Sequence, residues 1–207
     1  MPTRLEVFAD ISCPFTHVGL KRVVHELAAS DGQVDIVVRA WPLEWVNGAP
    51  LEAAAVSVKI AALKKQLATN VFANFSEDTW PTTTIPALNL AAAAPDIDQA
   101  TGLAMSLALR NALFEQGRNL GDADVLSSIA SEFNLDAPSA EAHARVLADY
   151  EDGQRRGVRG SPDFWLGEEE FFCPALRLGH DDDGLTAAFD TEGFGDFMDH
   201  VWASTAT

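Results

Sequence analysis

The hydrophobic pattern at the start of the chain predicts two strands on either side of one helix. Alternation over residues 5–9 indicates the first strand, and a β-branched, nearly continuous apolar run over residues 34–40 indicates the second. Between them, residues 14–30 carry apolar side chains on one helical face, and Asp31 and Gly32 supply a turn. This βαβ order predicts a right-handed crossover.

The middle of the chain, from about residue 51 to about residue 157, has helical spacing throughout. Three apolar stripes recur at helical intervals, and they comprise Val56, Ile60, Leu63 and Leu67, then Leu103, Leu107 and Phe114, and then Val125, Leu126, Ile129 and Phe133. Asp122 or Asp124 is a suitable N-cap for the third of these helices. Val146 and Tyr150 indicate a last helix that ends near Gly157.

The pattern then returns to strands and closes with a helix. Residues 164–166 and 170–172 lie on either side of a turn that contains Gly167, which predicts a hairpin. Four apolar residues at helical intervals predict a final amphipathic helix that can pack on a sheet, and they are Phe194, Phe197, Met198 and Val201.

The predicted order is therefore β-α-β, a helical block, and then β-β-α. The sequence contains no internal repeat and no low-complexity linker. We predict an α/β fold in which residues 1–50 and 158–207 form one domain around the sheet. Residues 51–157 form an inserted all-helical domain.

The charge of the chain narrows the range of partners. With 31 acidic and 14 basic residues, the formal net charge is −17. Nucleic acids and anionic membranes attract clustered lysine and arginine, so neither is an expected partner. No apolar run is long enough to span a bilayer, and the first strand follows Met1 too closely for a signal peptide. We therefore expect a cytoplasmic protein, whose thiols stay reduced.

Cys13 has the clearest candidate chemistry. The segment Cys13-Pro14-Phe15-Thr16 follows the first predicted strand and opens the predicted helix. Unpaired N–H groups and the macrodipole at a helix N-terminus favour the thiolate, which is the reactive form of cysteine. We expect the sulfur to be partly accessible. Thr16 stands where a dithiol redox motif has its second cysteine, so Cys13 has no resolving partner within this segment.

Two segments in this order resemble the DsbA-like thiol–disulfide oxidoreductases, which have a thioredoxin-like fold. Residues 8–19 read FADISCPFTHVG and are similar to the family's Cys-Pro-x-Cys segment. Residues 157–164 read GVRGSPDF and are similar to its Gly-Val-x-Gly-Val/Thr-Pro-x-Phe loop. The resemblance covers nearly the whole chain. It implies a thioredoxin-like sheet with inserted helices, and a cis bond before Pro162 with that loop facing the Cys13 sulfur.

Thr16 departs from the pattern of the family. Members that act as dithiol oxidants have cysteine there, whereas the related kappa-class glutathione transferases and hydroxychromene-carboxylate isomerases resemble Ser-Pro-Tyr-Ser at the same place. This chain falls between these branches, because the four-residue motif begins with the thiol of Cys13 and ends with the hydroxyl of Thr16. Cys13 and Thr16 are therefore the expected catalytic residues.

Three functions are compatible with this pair. The leading hypothesis is an enzyme, a monothiol oxidoreductase in which Cys13 forms mixed disulfides that a low-molecular-weight thiol of the glutathione or mycothiol type resolves. A second is a transferase or isomerase in which Cys13 and Thr16 hold a small thiol without covalent exchange. A third is a binding module that keeps only the fold. The expected partners are the small thiol and a disulfide or electrophilic substrate.

The remaining candidates for binding substrate or thiol flank the two motifs. They are Pro14, Phe15, His17, Arg159, Ser161 and Pro162. Arginine suits carboxylates, so Arg159 is a candidate for holding the small thiol, although a charge at a helix C-terminus explains it equally well. His17 is either a packing residue or, if protonated, a source of positive potential near Cys13.

Cys173 is not expected to pair with Cys13. The hairpin returns it to the same end of the sheet, but two strand spacings of about 4.8 Å exceed the reach of a disulfide. No metal is expected either. The acidic loop at residues 181–184 lacks the ligand pattern of a calcium loop, and the histidines lack metal-ligand spacing with the cysteines.

Overall fold

A four-stranded mixed sheet, with the strand order β2-β1-β3-β4, forms the centre of the fold. The computed structural model describes residues 2–28, 34–135, 140–182 and 184–205. The strands are β1 (Thr3–Ala9), β2 (Val34–Ala40), β3 (Asp163–Leu166) and β4 (Glu169–Phe172). β1 pairs in parallel with β2 and antiparallel with β3, and β3 and β4 form the predicted hairpin. The predicted α/β fold class is confirmed.

Helix α1 (Pro14–Leu27) connects β1 to β2. Pro14 occupies its first turn, where a missing N–H interrupts no helical hydrogen bond. The helix ends where the Ala28 N–H donates to the Val24 carbonyl at 3.0 Å. The predicted extension to residue 30 and the turn at Asp31 and Gly32 lie outside the described residues.

Six α-helices occupy the described part of the chain between β2 and β3. They are α2 (Leu43–Asn47), α3 (Ala53–Leu67), α4 (Ile85–Ala93), α5 (Gln99–Phe114), α6 (Ala123–Glu132) and α7 (Ala140–Arg156). The stripe predicted on α3 is buried over its whole length. Asp122 is the N-cap of α6, since its side chain accepts a hydrogen bond from the Asp124 N–H at 2.8 Å.

The stripe predicted on α5 is fully buried only towards its end, where Phe114 has no exposed surface. Leu103 and Leu107 are only half-buried, whereas Met105 and Leu109 are fully buried. Both leucines nevertheless pack against the core. The face that is buried also carries Arg110, which is completely enclosed.

A second, two-stranded sheet follows the first and was missed by the sequence analysis. β5 (Leu176–Asp181) and β6 (Gly184–Phe189) pair antiparallel, so Asp181 and Gly184, from the stretch considered for calcium, are the end of one strand and the start of the next. The final helix α8 (Thr191–Thr205) buries the four apolar residues predicted for it. Within the described residues, no helix has the combination of length and apolar character that crossing a bilayer requires.

One hydrophobic core joins the sheet to helices of both predicted domains. Leu5 of β1, Leu20 of α1, Leu63 of α3, Leu109 of α5 and Phe197 of α8 belong to the same buried cluster. The division of the chain into two domains at residues 50 and 157 stays a prediction. The helices between β2 and β3 therefore contribute side chains to the same core as the sheet.

Gly153 allows α7 to lie close to the sheet. A Cβ atom at this position would lie 2.5 Å from Cζ3 of Trp41 and 3.2 Å from Cδ1 of Phe8. Both aromatic side chains are buried, so neither can move aside easily. The close approach of this helix therefore depends on a residue without a side chain.

Replacing Gly153 by alanine is expected to lower the free energy of unfolding by about 1–3 kcal/mol, because the added methyl group overpacks the Trp41 contact. This loss should outweigh the advantage of about 1 kcal/mol that alanine has over glycine as a helix former. Urea denaturation followed by circular dichroism measures the difference.

Gly195→Ala in α8 is the matched control, since a Cβ atom there meets nothing within 4 Å. It should raise the free energy of unfolding by about 0.5–1 kcal/mol. Stabilisation by both substitutions would contradict the tight packing of α7 on Trp41.

Candidate active site

Cys13 lies at the N-cap of α1, as the sequence predicts. A short turn, residues 10–12, leads from the end of β1 to this cysteine. The backbone of Cys13 itself is extended, with φ −79° and ψ 113°. The Cys13 carbonyl accepts the N–H of His17 at 3.1 Å, which is the first hydrogen bond of the helix. The side chain therefore sits beside the first-turn N–H groups, which have no acceptor within the helix.

The sulfur of Cys13 is covered by the loop between α7 and β3. The Cys13 side chain is 3% exposed, and its Sγ donates to the Ser161 carbonyl oxygen at 2.9 Å. The bond between Ser161 and Pro162 is cis. The expectation of a partly accessible sulfur is therefore wrong, because the loop that carries Pro162 closes over the helix start.

Ser161 joins the two motifs through its side chain as well. Its Oγ accepts the Asp10 N–H at 2.9 Å and lies 2.7 Å from Oγ1 of Thr16, with one hydroxyl donating to the other. Thr16 has no exposed surface. The sequence-predicted residues Cys13, Thr16, Ser161 and Pro162 therefore meet in one place.

Asp10 shapes the turn before Cys13 and was not identified from the sequence. It has no exposed surface, and its Oδ1 accepts hydrogen bonds from the N–H and the hydroxyl of Ser12 at 2.7 and 2.6 Å. Its Oδ2 accepts the Leu43 N–H at 2.7 Å, and the Thr84 hydroxyl lies 3.4 Å from Oδ1. This carboxylate fixes the turn against α2 and α4.

Arg110 enters the site from α5 and was also missed. Its Nη1 donates to the Asp10 carbonyl oxygen at 2.6 Å and lies 3.4 Å from the Ile11 carbonyl oxygen, and its Nε lies 3.4 Å from the Ser106 hydroxyl. Burial lowers the pKa of Arg110 to about 10, and the nearby Cys13 and Asp10 act against this decrease. The guanidinium stays charged at neutral pH. The sequence did contain one signal for this residue, since helical spacing places Arg110 on the same face of α5 as Leu107 and Phe114.

His17 is a packing residue of the helical region. Its ring has no exposed surface and lies 5.0 Å from the Phe114 ring and 5.5 Å from the Phe72 ring. Burial, with smaller effects of Lys21 and Arg110, lowers the pKa of His17 to about 3, so the ring is neutral at neutral pH. Its Nε2 lies 3.1 Å from the Val71 carbonyl oxygen. Of the two roles that the sequence allows, the packing role fits, since a neutral ring supplies no positive potential.

The arginines near the second motif are paired with carboxylates. The Nε of Arg159 donates to Glu170, and its guanidinium lies 4.9 Å from the centre of the Phe172 ring. Arg156 donates to Glu6 at 2.7 Å. The Arg159 side chain is 58% exposed and pairs through Nε, so its role in holding a carboxylate stays a prediction.

Phe15 lines an apolar cavity next to the helix start. The cavity has a volume of about 690 Å³, and its lining includes Val58 and Lys59 of α3 and Leu178 and His180 of β5. Pro14, by contrast, is buried in the first turn. Among the described residues, no group of three histidine, cysteine or acidic side chains is arranged to hold a metal ion.

Cys173 lies next to the Pro162 loop but beyond β3. Its N–H donates to the Pro162 carbonyl oxygen at 3.0 Å, and its side chain is buried. Burial, with smaller effects of Cys13 and Asp163, raises the pKa of the Cys173 thiol to about 12. This thiol is protonated at neutral pH, so it is a poor nucleophile.

Asp163, directly after Pro162, is an unusual buried acid. It has no exposed surface, and its Oδ2 accepts the Arg159 N–H at 2.9 Å, while Oδ1 has no hydrogen-bond donor among the described residues. Burial raises the pKa of Asp163 to about 7, which the Arg159 N–H opposes and the neighbouring Glu170 reinforces. The carboxyl is partly protonated at neutral pH.

This pKa predicts that Asp163→Asn raises the free energy of unfolding by an amount that depends on pH. Folding favours the protonated carboxyl, so its contribution to stability is complete below about pH 4 and is lost as the pH rises through about 7. Asparagine keeps an oxygen for the Arg159 N–H and carries no charge. The variant should exceed the parent in free energy of unfolding by roughly 2–4 kcal/mol at pH 8.

Denaturant titrations at several pH values measure this difference. The advantage of the variant should grow between about pH 4 and pH 7 and then level off. A difference that is the same at pH 4 and pH 8 would show that Asp163 is not protonated on folding.

Comparison with known proteins gives the family and related folds. A family model described as a DSBA-like thioredoxin domain matches residues 4–180. The structure of a probable DsbA oxidoreductase from Streptomyces coelicolor has 22% identity, covers 97% of this chain and 90% of its own, and gives a TM-score of 0.70. No curated protein sequence matches at a significant level.

Two further solved structures have the same fold. A 2-hydroxychromene-2-carboxylate isomerase has 18% identity, with 81% of this chain and 87% of its own covered and a TM-score of 0.60. The cytosolic disulfide reductase DsbM from Pseudomonas aeruginosa has 16% identity, with 98% and 95% covered and a TM-score of 0.53. With residues 4–180 matched by the family model, the chain belongs to the family of DSBA-like thioredoxin domains.

Proposed function

We propose that the protein is a monothiol thiol–disulfide oxidoreductase whose nucleophile is Cys13. The observation that carries this proposal is the contact of the Cys13 sulfur with the loop of Ser161 and Pro162 at the start of α1. A sulfur held at a helix N-terminus beside a backbone edge can attack a substrate disulfide while that edge binds the substrate chain.

Exchange begins when substrate replaces the hydrogen bond between Cys13 and Ser161, since the sulfur is only 3% exposed while that bond is present. The Cys13 thiolate attacks one sulfur of a disulfide R–S–S–R′. A bond forms between Cys13 and the R sulfur, the S–S bond of the substrate breaks, and R′S⁻ leaves and takes up a proton. The product is a mixed disulfide on Cys13.

Resolution of this mixed disulfide needs a thiol from outside the chain. Thr16 carries a hydroxyl, which does not reduce a disulfide, and Cys173 is protonated and separated from β1 by β3. A small thiolate attacks the R sulfur, the Cys13 thiolate leaves, and the small thiol becomes disulfide-linked to R. We propose a thiol of the glutathione or mycothiol class for this step.

The relatives support this choice of thiol. The DsbM of Pseudomonas aeruginosa has also been solved with GSH, at 18% identity to this chain and a TM-score of 0.55. A cytoplasmic location, where such thiols are abundant, belongs to the same proposal. The apolar cavity beside Phe15 and Lys59 is the surface that we propose for the substrate or the small thiol.

A transferase or isomerase activity is the second candidate, favoured by the fold of the 2-hydroxychromene-2-carboxylate isomerase. That mechanism requires the Thr16 hydroxyl to hold a bound thiolate. The hydroxyl is instead buried and paired with Ser161 at 2.7 Å. Cys13 is covered by the same loop, so either mechanism requires that loop to give way, and a covalent adduct on Cys13 distinguishes exchange from thiol binding.

Turnover of a disulfide substrate should depend on Cys13 and on added small thiol. Cys13→Ser is expected to abolish activity, because serine cannot form a mixed disulfide. Cys173→Ser is the matched control and should keep at least half of the activity. Reduction of a fluorogenic disulfide with glutathione or mycothiol as the only reductant measures both. Loss of activity in each variant, with a Cys13–Cys173 bridge found by peptide mapping, would contradict the monothiol mechanism.

Thr16→Cys should convert the site to a dithiol. A thiol in this position can attack the mixed disulfide on Cys13, so the substrate thiol should be released in a single turnover without any external thiol. Thr16→Ser keeps a hydroxyl and should keep the requirement for external thiol. Quantifying the released thiol from pre-reduced protein tests the pair, and equal behaviour of the two variants would argue against a resolving role for this position.

A further inference from the structure

We infer that Arg110 is the positively charged positioning residue that stabilises the thiolate of Cys13, so that helix α5 activates the nucleophile at the start of helix α1. The inference rests on the proposed function of Cys13. It concerns the formation of the thiolate, which can be measured whether or not disulfide exchange follows.

Arg110 is held directly at the turn that presents Cys13. Its Nη1 donates to the Asp10 carbonyl oxygen at 2.6 Å, and the Cys13 N–H donates to the same oxygen at 3.4 Å. One acceptor atom therefore lies between the guanidinium and the backbone of the cysteine. The second contact of Nη1, with the Ile11 carbonyl oxygen at 3.4 Å, fixes the orientation of the guanidinium towards this turn.

Among the described residues, no carboxylate is hydrogen-bonded to this buried guanidinium, although the charge of Asp10 acts on it. The Asp10 carboxylate receives its hydrogen bonds from Ser12 and Leu43, with Thr84 nearby, rather than from Arg110. The Nη2 atom of Arg110 is buried without an acceptor among the described residues. A negative charge on Cys13 would compensate for the positive charge that is enclosed here.

The thiolate has a matching need for a cation. The protonated thiol donates to the Ser161 carbonyl oxygen, and this hydrogen bond is lost when the proton leaves. The sulfur then faces a carbonyl dipole in a buried site, which opposes ionisation. The N–H groups at the start of α1 and the charge of Arg110 are the favourable interactions that remain.

In the described part of the chain, the other titratable groups that we identify around the site do not supply a free positive charge. His17 is neutral, and Lys21 of the same helix is paired with Glu115 at the end of α5. On the opposite side, Cys173 is a protonated thiol and Asp163 is an acid. Asp10 is a further negative charge at this turn, so Arg110 faces two acidic groups, Cys13 and Asp10.

The test is the pH dependence of Cys13 alkylation in a Cys173→Ser background, with iodoacetamide as the probe. Arg110→Met should move the midpoint of alkylation upwards by about one pH unit or more and slow alkylation at pH 7 about tenfold. Arg110→Lys keeps a charge and should restore most of the rate. Arg177→Met is the matched control, because Arg177 is exposed and paired with Asp190.

A second measurement uses the parent protein and does not depend on the folding of an Arg110 variant. The ¹³C shift of the Arg110 guanidinium carbon should titrate with the midpoint of Cys13 alkylation and should lose that transition in Cys13→Ser. An unchanged alkylation midpoint in a folded Arg110→Met variant, or a guanidinium shift that ignores Cys13, would overturn the inference. A protein that behaves as expected in both measurements but does not exchange disulfides would contradict the proposed function alone.

Discussion

The contact between the Cys13 turn and the Ser161 loop is the constraint on which the site depends. The Ser161 side chain accepts the Asp10 N–H and pairs with Thr16, while its carbonyl oxygen accepts the Cys13 thiol. One serine therefore fixes three points of the segment that joins β1 to α1, although the two segments are about 150 residues apart in sequence. This contact explains both how the sulfur is oriented and why it is buried.

The interior of the site has a charge balance unlike that of the whole chain. The net charge is −17, but Arg110 is enclosed within hydrogen-bond distance of the turn before Cys13. Burial keeps His17 neutral and Cys173 protonated at neutral pH, so neither competes with Cys13 for a role in the chemistry. Helix α5 thus contributes a positive charge to the site at the start of helix α1.

The parts that the sequence predicts are those that local patterns encode. Strand alternation and helical stripes indicate which face is buried, so the four strands of the central sheet and the apolar face of α8 could be predicted. Cys13, Thr16, Ser161 and Pro162 lie in two short motifs whose order is informative. The β5–β6 hairpin was missed because only a few of its side chains are buried. The role of Arg110 could not be predicted, because only the tertiary fold brings α5 to Cys13.

The most direct test of the account is the intact mass of the reduced protein after incubation with oxidised glutathione or oxidised mycothiol. A mixed disulfide on Cys13 is the one intermediate that separates covalent exchange from non-covalent thiol binding and from a fold without activity. We expect a single adduct of one small thiol per chain, located on Cys13 by peptide mapping and removed by free thiol. No adduct under conditions that oxidise an exposed cysteine, or an adduct on Cys173 instead, would contradict the central claim.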